Sequence, residues 1–222
     1  WINNFFNVAN HFSELARKSK AKSPIEKVSK EQSGTPSLEI YKLGNAVLRE
    51  NAKRISKVDN SIRILAKEML QSMYAAKGIG LAAPQIGIKK ELIVIDVNFE
   101  DSAADPLILI NPEITNYGTT LNSYEEGCLS IPGVYLNVVR PSTIKLRFRD
   151  EMGRPRKMKA DGLLARCIQH EMDHLNGVLF VDRVTSKEDL NNELIKEGFD
   201  QKDVIPIKWF NYWKNNDWNY DL

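Results

Sequence analysis

An α+β fold is the expectation for this 222-residue chain, and three features of the sequence are compatible with it. Two stretches, residues 59–77 and 162–175, place apolar residues at helical spacing. The region between them is rich in apolar runs of strand length. One segment there, Thr143–Phe148, alternates: Ile144, Leu146 and Phe148 face one way, and Lys145, Arg147 and Arg149 the other. That period of two marks a half-buried, antiparallel strand.

The elements follow in order. In residues 59–77, Ile62, Leu65, Ala66, Met69 and Met73 recur at steps of three and four and form one apolar face. Asp59 or Ser61 caps this helix, because a short side-chain oxygen accepts the free N–H groups of a first turn. Gly78 is the expected stop. Glu91–Val97 and Leu107–Ile110 read as strands, as does Thr143–Phe148, and Asp150–Pro155 reads as a turn. The second helix, 162–175, ends at Asn176-Gly177. A short third helix fits Lys187–Glu197, with Ser186 as its cap, Asp189 three residues on, and Gly198 closing it.

Composition bounds the function. Thirty-one Lys and Arg against 29 Asp and Glu leave a formal charge of +2, so no basic excess points to a specific nucleic-acid partner. No apolar run approaches the ~20 residues needed to cross a bilayer. Two cysteines, Cys128 and Cys167, are too few for a disulfide scaffold and read as reduced thiols. The chain opens on Trp1 rather than Met, as a fragment or processed product would. Residues 1–37 read as a solvated arm ending in the turn formers Ser33–Ser37. An organelle transit segment is the alternative, and Glu14, Glu26 and Glu31 count against it. Residues 38–185 form the expected catalytic domain, and 186–222 a helix and tail. From Pro206 that tail crowds Trp209, Phe210, Tyr212, Trp213, Trp218 and Tyr220 together. It reads as a strap on the core, as a non-native sequence, or as a partner-docking segment.

Three motifs carry chemistry. His170-Glu171-Met172-Asp173-His174 holds two of the chain's three histidines. On a helix, positions 170 and 174 lie one turn apart on one face, where both imidazoles can grip one metal ion with Glu171 beside them as general base. A third ligand is then required. No His follows 174; Glu188, Glu193 and Glu197 do, but Cys128 in Glu126-Gly127-Cys128-Leu129-Ser130 is the better donor. Cys167 reads as a small buried hydrophobe. The third motif is Gly78-Ile79-Gly80-Leu81-Ala82-Ala83-Pro84-Gln85. Its glycines allow close backbone approach, and Gln85 offers a neutral donor suited to an oxyanion.

In this order the three motifs resemble the signatures of peptide deformylase, over roughly residues 38–185. The resemblance implies mixed, mostly antiparallel sheets around a central helix that bears the metal-binding histidines. It implies an enzyme that removes the formyl group from the N-terminal formyl-methionine of nascent polypeptides. It implies Cys128, His170 and His174 as metal ligands, Glu171 as acid and base, and the Gln85 side chain and Leu129 N–H as oxyanion donors. Gly80 and its neighbours would line the peptide channel, and Ile79, Tyr124, Leu163 and Cys167 the methionine pocket. Tyr135 departs from members that carry Arg there. Ligand softness alone favours zinc. The family implies ferrous iron, with Zn2+, Ni2+ or Co2+ able to substitute, and Fe2+ is the expected native ion. An Arg140–Asp173 ion pair steadying the metal helix is also expected. The substrate places the protein in a bacterial cytoplasm, with plastid or mitochondrion as the alternative, and makes the ribosome the tail's candidate partner. Two rivals are a zinc endopeptidase, against which Cys128 and its flanking residues speak, and a non-catalytic binding module, against which the intact donor set speaks.

Overall fold

The computed structural model describes residues 28, 30, 37–101 and 103–207. The N-terminal arm before Ser37, apart from Val28 and Lys30, lies outside the described residues, and so does the aromatic tail from Lys208 onward.

Seven strands and three α-helices frame the described chain. The strands are β1 (Gly80–Ala82), β2 (Leu92–Ile95), β3 (Leu107–Tyr117), β4 (Leu121–Cys128), β5 (Ile131–Pro141), β6 (Thr143–Arg149) and β7 (Pro155–Asp161). The helices are α1 (Asn60–Ala75), α2 (Gly162–Leu175) and α3 (Lys187–Lys196). One sheet runs β1-β2-β3-β6-β7 and a second pairs β4 with β5. Every pairing in both sheets is antiparallel.

The larger sheet is buried on both faces near β2, which explains why β2 is an unbroken apolar run. Leu92 and Val94 face α1, packing with Met69, Met73 and Leu81. Ile93 and Ile95 face the other way, onto Ala165, Ile168 and Leu175 of α2. The apolar face of α2 thus rests on the sheet, and its opposite face is free to carry the histidines. The small sheet closes over that second face. Val134, Leu136 and Val138 of β5 join Phe180, Leu190 and Leu194 in a third cluster.

The expected helices form within one or two residues of their expected bounds. Asp59 caps α1, accepting from Ser61 N–H at 2.9 Å, and Ser186 caps α3, accepting from Asp189 N–H at 3.2 Å. The stop of α1 differs. Lys77, not Gly78, takes the left-handed conformation, with φ of 58°. Gly78 is needed for space instead: a Cβ there would come within 2.6 Å of Leu129 Cδ1. The strand expected over Leu107–Ile110 runs on to Tyr117 through irregular pairing after Ile110. Asn111 takes φ of 50°, and its amide both donates to and accepts from the Ile55 backbone. That pairs the Ile55 N–H and C=O, which lie outside both sheets. Strands β1, β4, β5 and β7 had no sequence expectation. β4 is largely exposed and polar, and β7 alternates lysines and arginines with few apolar residues.

Candidate active site

The site forms where α2, the end of β4 and the turn after β1 converge. His170 and His174 project from the buried face of α2, one turn apart, with ring centroids 5.2 Å apart. Cys128 closes β4, and its Sγ lies 3.3 Å from His174 Nε2. The three residues each offer one ligand atom, all within 4.8 Å of one another. A divalent metal would be held by these three residues. The environment prepares these donors. Burial works against ionisation of Cys128, but His174 and His170 beside it pull the thiol well below its ordinary value. Cys167 goes the opposite way: burial first, then the Glu171 and Glu126 carboxylates, push its thiol up. The surroundings therefore push the two thiols in opposite directions. A thiolate beside two imidazoles is a fitting cradle for a divalent metal.

Glu126 orients the first histidine. Its Oε2 stands 2.9 Å from His170 Nδ1, which leaves Nε2 to face the cluster. Glu126 is itself gripped by Arg140, at 2.6 and 2.9 Å, and by Arg166 at 2.7 Å. Burial alone would raise the Glu126 carboxyl; Arg140 overrides it and holds the group well below the usual carboxylate range. The expected Arg140–Asp173 pair forms at 2.8 Å, and Arg183 grips the same Asp173 at 2.6 and 2.7 Å. The network fixes β4, β5 and α2 to one another beneath the donors. The roles of Glu126, Arg166 and Arg183 escape the sequence reading. Arg166, one turn before His170 on the same helix, was the available signal.

Glu171 is 4% exposed, and its Oε2 has no hydrogen-bond partner. Burial pushes this carboxyl up to about 7, against the pull of His170 and His174. A buried carboxyl poised near neutrality, with a free oxygen, is equipped to take and return a proton. Gly80 makes room for it: a Cβ there would strike Glu171 Oε1 and lie 2.8 Å from Cys167 Sγ. Gln85 sits in a 3-10 turn, Ala83–Ile86, opened by Pro84 at its second residue. Its Oε1 accepts from Ala82 N–H at 2.8 Å, so the NH₂ end must face the other way. That end reaches Ser130 Oγ at 3.1 Å and Cys128 Sγ at 3.5 Å.

A cleft of about 800 Å³ opens onto these groups. Ile79, Gly80, Gln85, Cys128, Leu129, Leu163, Cys167, His170 and Glu171 line it, and so does Tyr135 at its exposed rim. Tyr124, expected in the methionine pocket, is not among the residues that line the cleft. Its side chain is 50% exposed and its ring lies 5.7 Å from the guanidinium of Arg166, which does line the cleft. His174 lies behind the cleft wall, with an unpartnered buried Nδ1.

Known proteins match this chain in sequence and in fold. The sequence profile of the family described as polypeptide deformylase matches residues 37–190. A peptide deformylase of Prochlorococcus marinus subsp. pastoris is 92% identical over 201 residues, covering 90% of this chain and 100% of that protein. One from a Synechococcus species is 62% identical over 200 residues, covering 90% of this chain and 100% of that protein. The crystal structure of a Synechococcus elongatus peptide deformylase in complex with actinonin is 55% identical, with a TM-score of 0.81, covering 82% of this chain and 99% of that one. The Thermotoga maritima enzyme is 38% identical, with a TM-score of 0.63, covering 67% and 98%.

Proposed function

Because the chain belongs to the polypeptide deformylase family, which removes the formyl group from nascent peptides, we propose that its catalysis runs on Glu171, Gln85 and Leu129 around a metal held by Cys128, His170 and His174. One observation carries this reading: the Cys128 sulfur and the His170 and His174 rings converge beside a buried carboxyl with a free oxygen, next to an open cleft that Cys128, His170 and Glu171 line. Bound there, a divalent metal supplies Lewis acidity and brings the pKa of water toward neutrality. Glu171 accepts the proton of the attacking water. The small formyl carbon passes to a tetrahedral oxyanion, which the Gln85 amide and the Leu129 N–H bind. Preorganised donors of this kind are each worth about 3–4 kcal/mol. Glu171 then returns its proton to the departing amine, and formate leaves.

The cleft holds the peptide in this reading, with Ile79, Leu163 and Cys167 taking the methionine side chain. Tyr135 at the rim then meets residues further along. Ferrous iron is the proposed native ion; zinc, nickel and cobalt suit the same donors. A bacterial cytoplasm is the proposed compartment. Among the described residues no helix is long and apolar enough to cross a membrane. Ribosome docking is proposed for the tail, and cosedimentation with and without residues 206–222 decides it.

The activity test is formate release from formyl-Met-Ala-Ser by protein purified anaerobically with ferrous iron, beside the unformylated peptide. Rapid formate release without internal cleavage is the expected result. No formate from protein carrying one metal per chain would overturn the reading.

A further inference from the structure

Three consecutive residues cross the segments that hold the proposed oxyanion donors. Tyr41 N–H donates to the Gln85 carbonyl at 2.8 Å, and Leu43 N–H donates to the Ser130 carbonyl at 2.9 Å. Between them the Lys42 ammonium donates to the Leu129 carbonyl at 2.6 Å. That carbonyl belongs to the peptide group whose N–H is on Ser130, and the same N–H donates to Cys128 Sγ at 3.4 Å. A cation therefore sits on the oxygen end of one peptide dipole, and the sulfur lies at its hydrogen end. Hydrogen bonds in such a chain polarise one another, and the charged end makes the effect larger.

We propose that Lys42 is a positioning residue for the deformylase reaction. Through the Leu129–Ser130 peptide it strengthens the hydrogen bond to the Cys128 sulfur and so tempers that sulfur as a donor to the metal. A hydrogen bond drains electron density from a ligating sulfur and leaves the metal a stronger Lewis acid. Nothing in the three motifs points to Lys42; it stands far upstream and is exposed at the cleft rim. The structure also separates the charge from the scaffold. The Tyr41 and Leu43 bonds are main-chain bonds on either side, so replacing the Lys42 side chain leaves the strap in place.

This inference rests on Cys128 being a metal ligand, and the test distinguishes the two. Wild type, K42M and K42R are each loaded with Co2+. The sulfur-to-cobalt charge-transfer absorption is recorded, and kcat and KM are measured by formate release. In wild type the band should be present. In K42M it should move to longer wavelength, because the sulfur donates more strongly. There kcat should fall about tenfold, the low end for groups that support a metal ligand, with KM little changed. K42R, which restores a cation on the carbonyl, should return both toward wild type. A band that stays put in K42M overturns the proposal, as does a shift that K42R does not reverse. A rise in KM with unchanged kcat also overturns it, because Lys42 would then be touching substrate. Absence of the band in wild type would instead remove Cys128 from the ligand set, and both readings with it.

Discussion

Glu171 and Gln85 differ in what surrounds them, and the difference predicts different kinetics. Glu171 keeps one oxygen free in a buried setting that no neighbouring donor satisfies. Glu171→Ala should therefore keep its metal and lose nearly all turnover; full turnover at full metal content would end its role as acid and base. Gln85 is held by Ala82 N–H and aims its amide toward Ser130 and Cys128. An interaction made only as the oxyanion forms shows in kcat. Gln85→Leu should lower kcat far more than it raises KM, and the reverse pattern would make Gln85 a substrate contact. At this scale the sequence was legible where one residue type has few uses: two histidines at helical spacing, a cysteine after glycine. It was opaque where a role depends on an unseen neighbour. Glu126 stood inside a recognised motif, but its bond to His170 exists only because β4 packs across α2.

Elements depend on two polar clusters, one buried and one at a turn. Arg140 on β5 joins Glu126 on β4 to Asp173 on α2, all three almost fully buried. Removing one member of a buried pair strands its partners and costs about 3–5 kcal/mol. Arg140→Ala should lose stability of that order in urea unfolding. It should also release metal faster on dialysis, because Glu126 then steadies His170 less well. Unchanged metal retention would confine Arg140 to folding. The turn between β6 and β7 hangs on Asp150, whose Oδ1 accepts the Met152 and Arg154 N–H groups at 3.0 and 2.9 Å. Burial alone would raise this carboxyl, but the Arg154 N–H and the Arg156 and Arg154 side chains hold it below its ordinary 3.8. A carboxyl depressed in the folded state contributes stability above its unfolded pKa and loses it as pH falls through the folded value. Asp150→Ala should therefore lower the Tm at pH 7, and the gap to wild type should close below about pH 3.8. A constant gap across that range would mean that the charge of Asp150 contributes nothing. The turn itself was readable from Met152-Gly153-Arg154-Pro155; the strand after it was not, since β7 carries little apolar signal.

At the scale of the molecule, the site lies on the seam between two layers. The larger sheet holds α2 from one side through Ile93, Ile95 and Leu109. The small sheet approaches the other face of α2, and its β4 ends at Cys128. The sequence showed the helix and the proposed ligands but not this arrangement, because the pairing of β4 with β5 is a long two-stranded match with no strong apolar pattern on β4. A metal bound by Cys128 and both histidines therefore ties the small sheet to the helix that the larger sheet carries. Anything that binds only the folded state stabilises it by RT ln(1 + [L]/Kd), about 4 kcal/mol at a thousandfold excess over Kd. For a chain of this size each kcal/mol moves the Tm by about 2–4 °C. Stripping the metal with a chelator should thus lower the Tm by about 8–16 °C at such a loading, and restoring Co2+ or Zn2+ should return it. In Cys128→Ala the tie to β4 is gone, so the response to chelator and metal should shrink toward the small effect that two histidines on one helix can give. A Tm indifferent to chelator in protein shown to hold metal would mean that the ion bridges nothing. An equal response in Cys128→Ala would place the tie on some donor other than that sulfur.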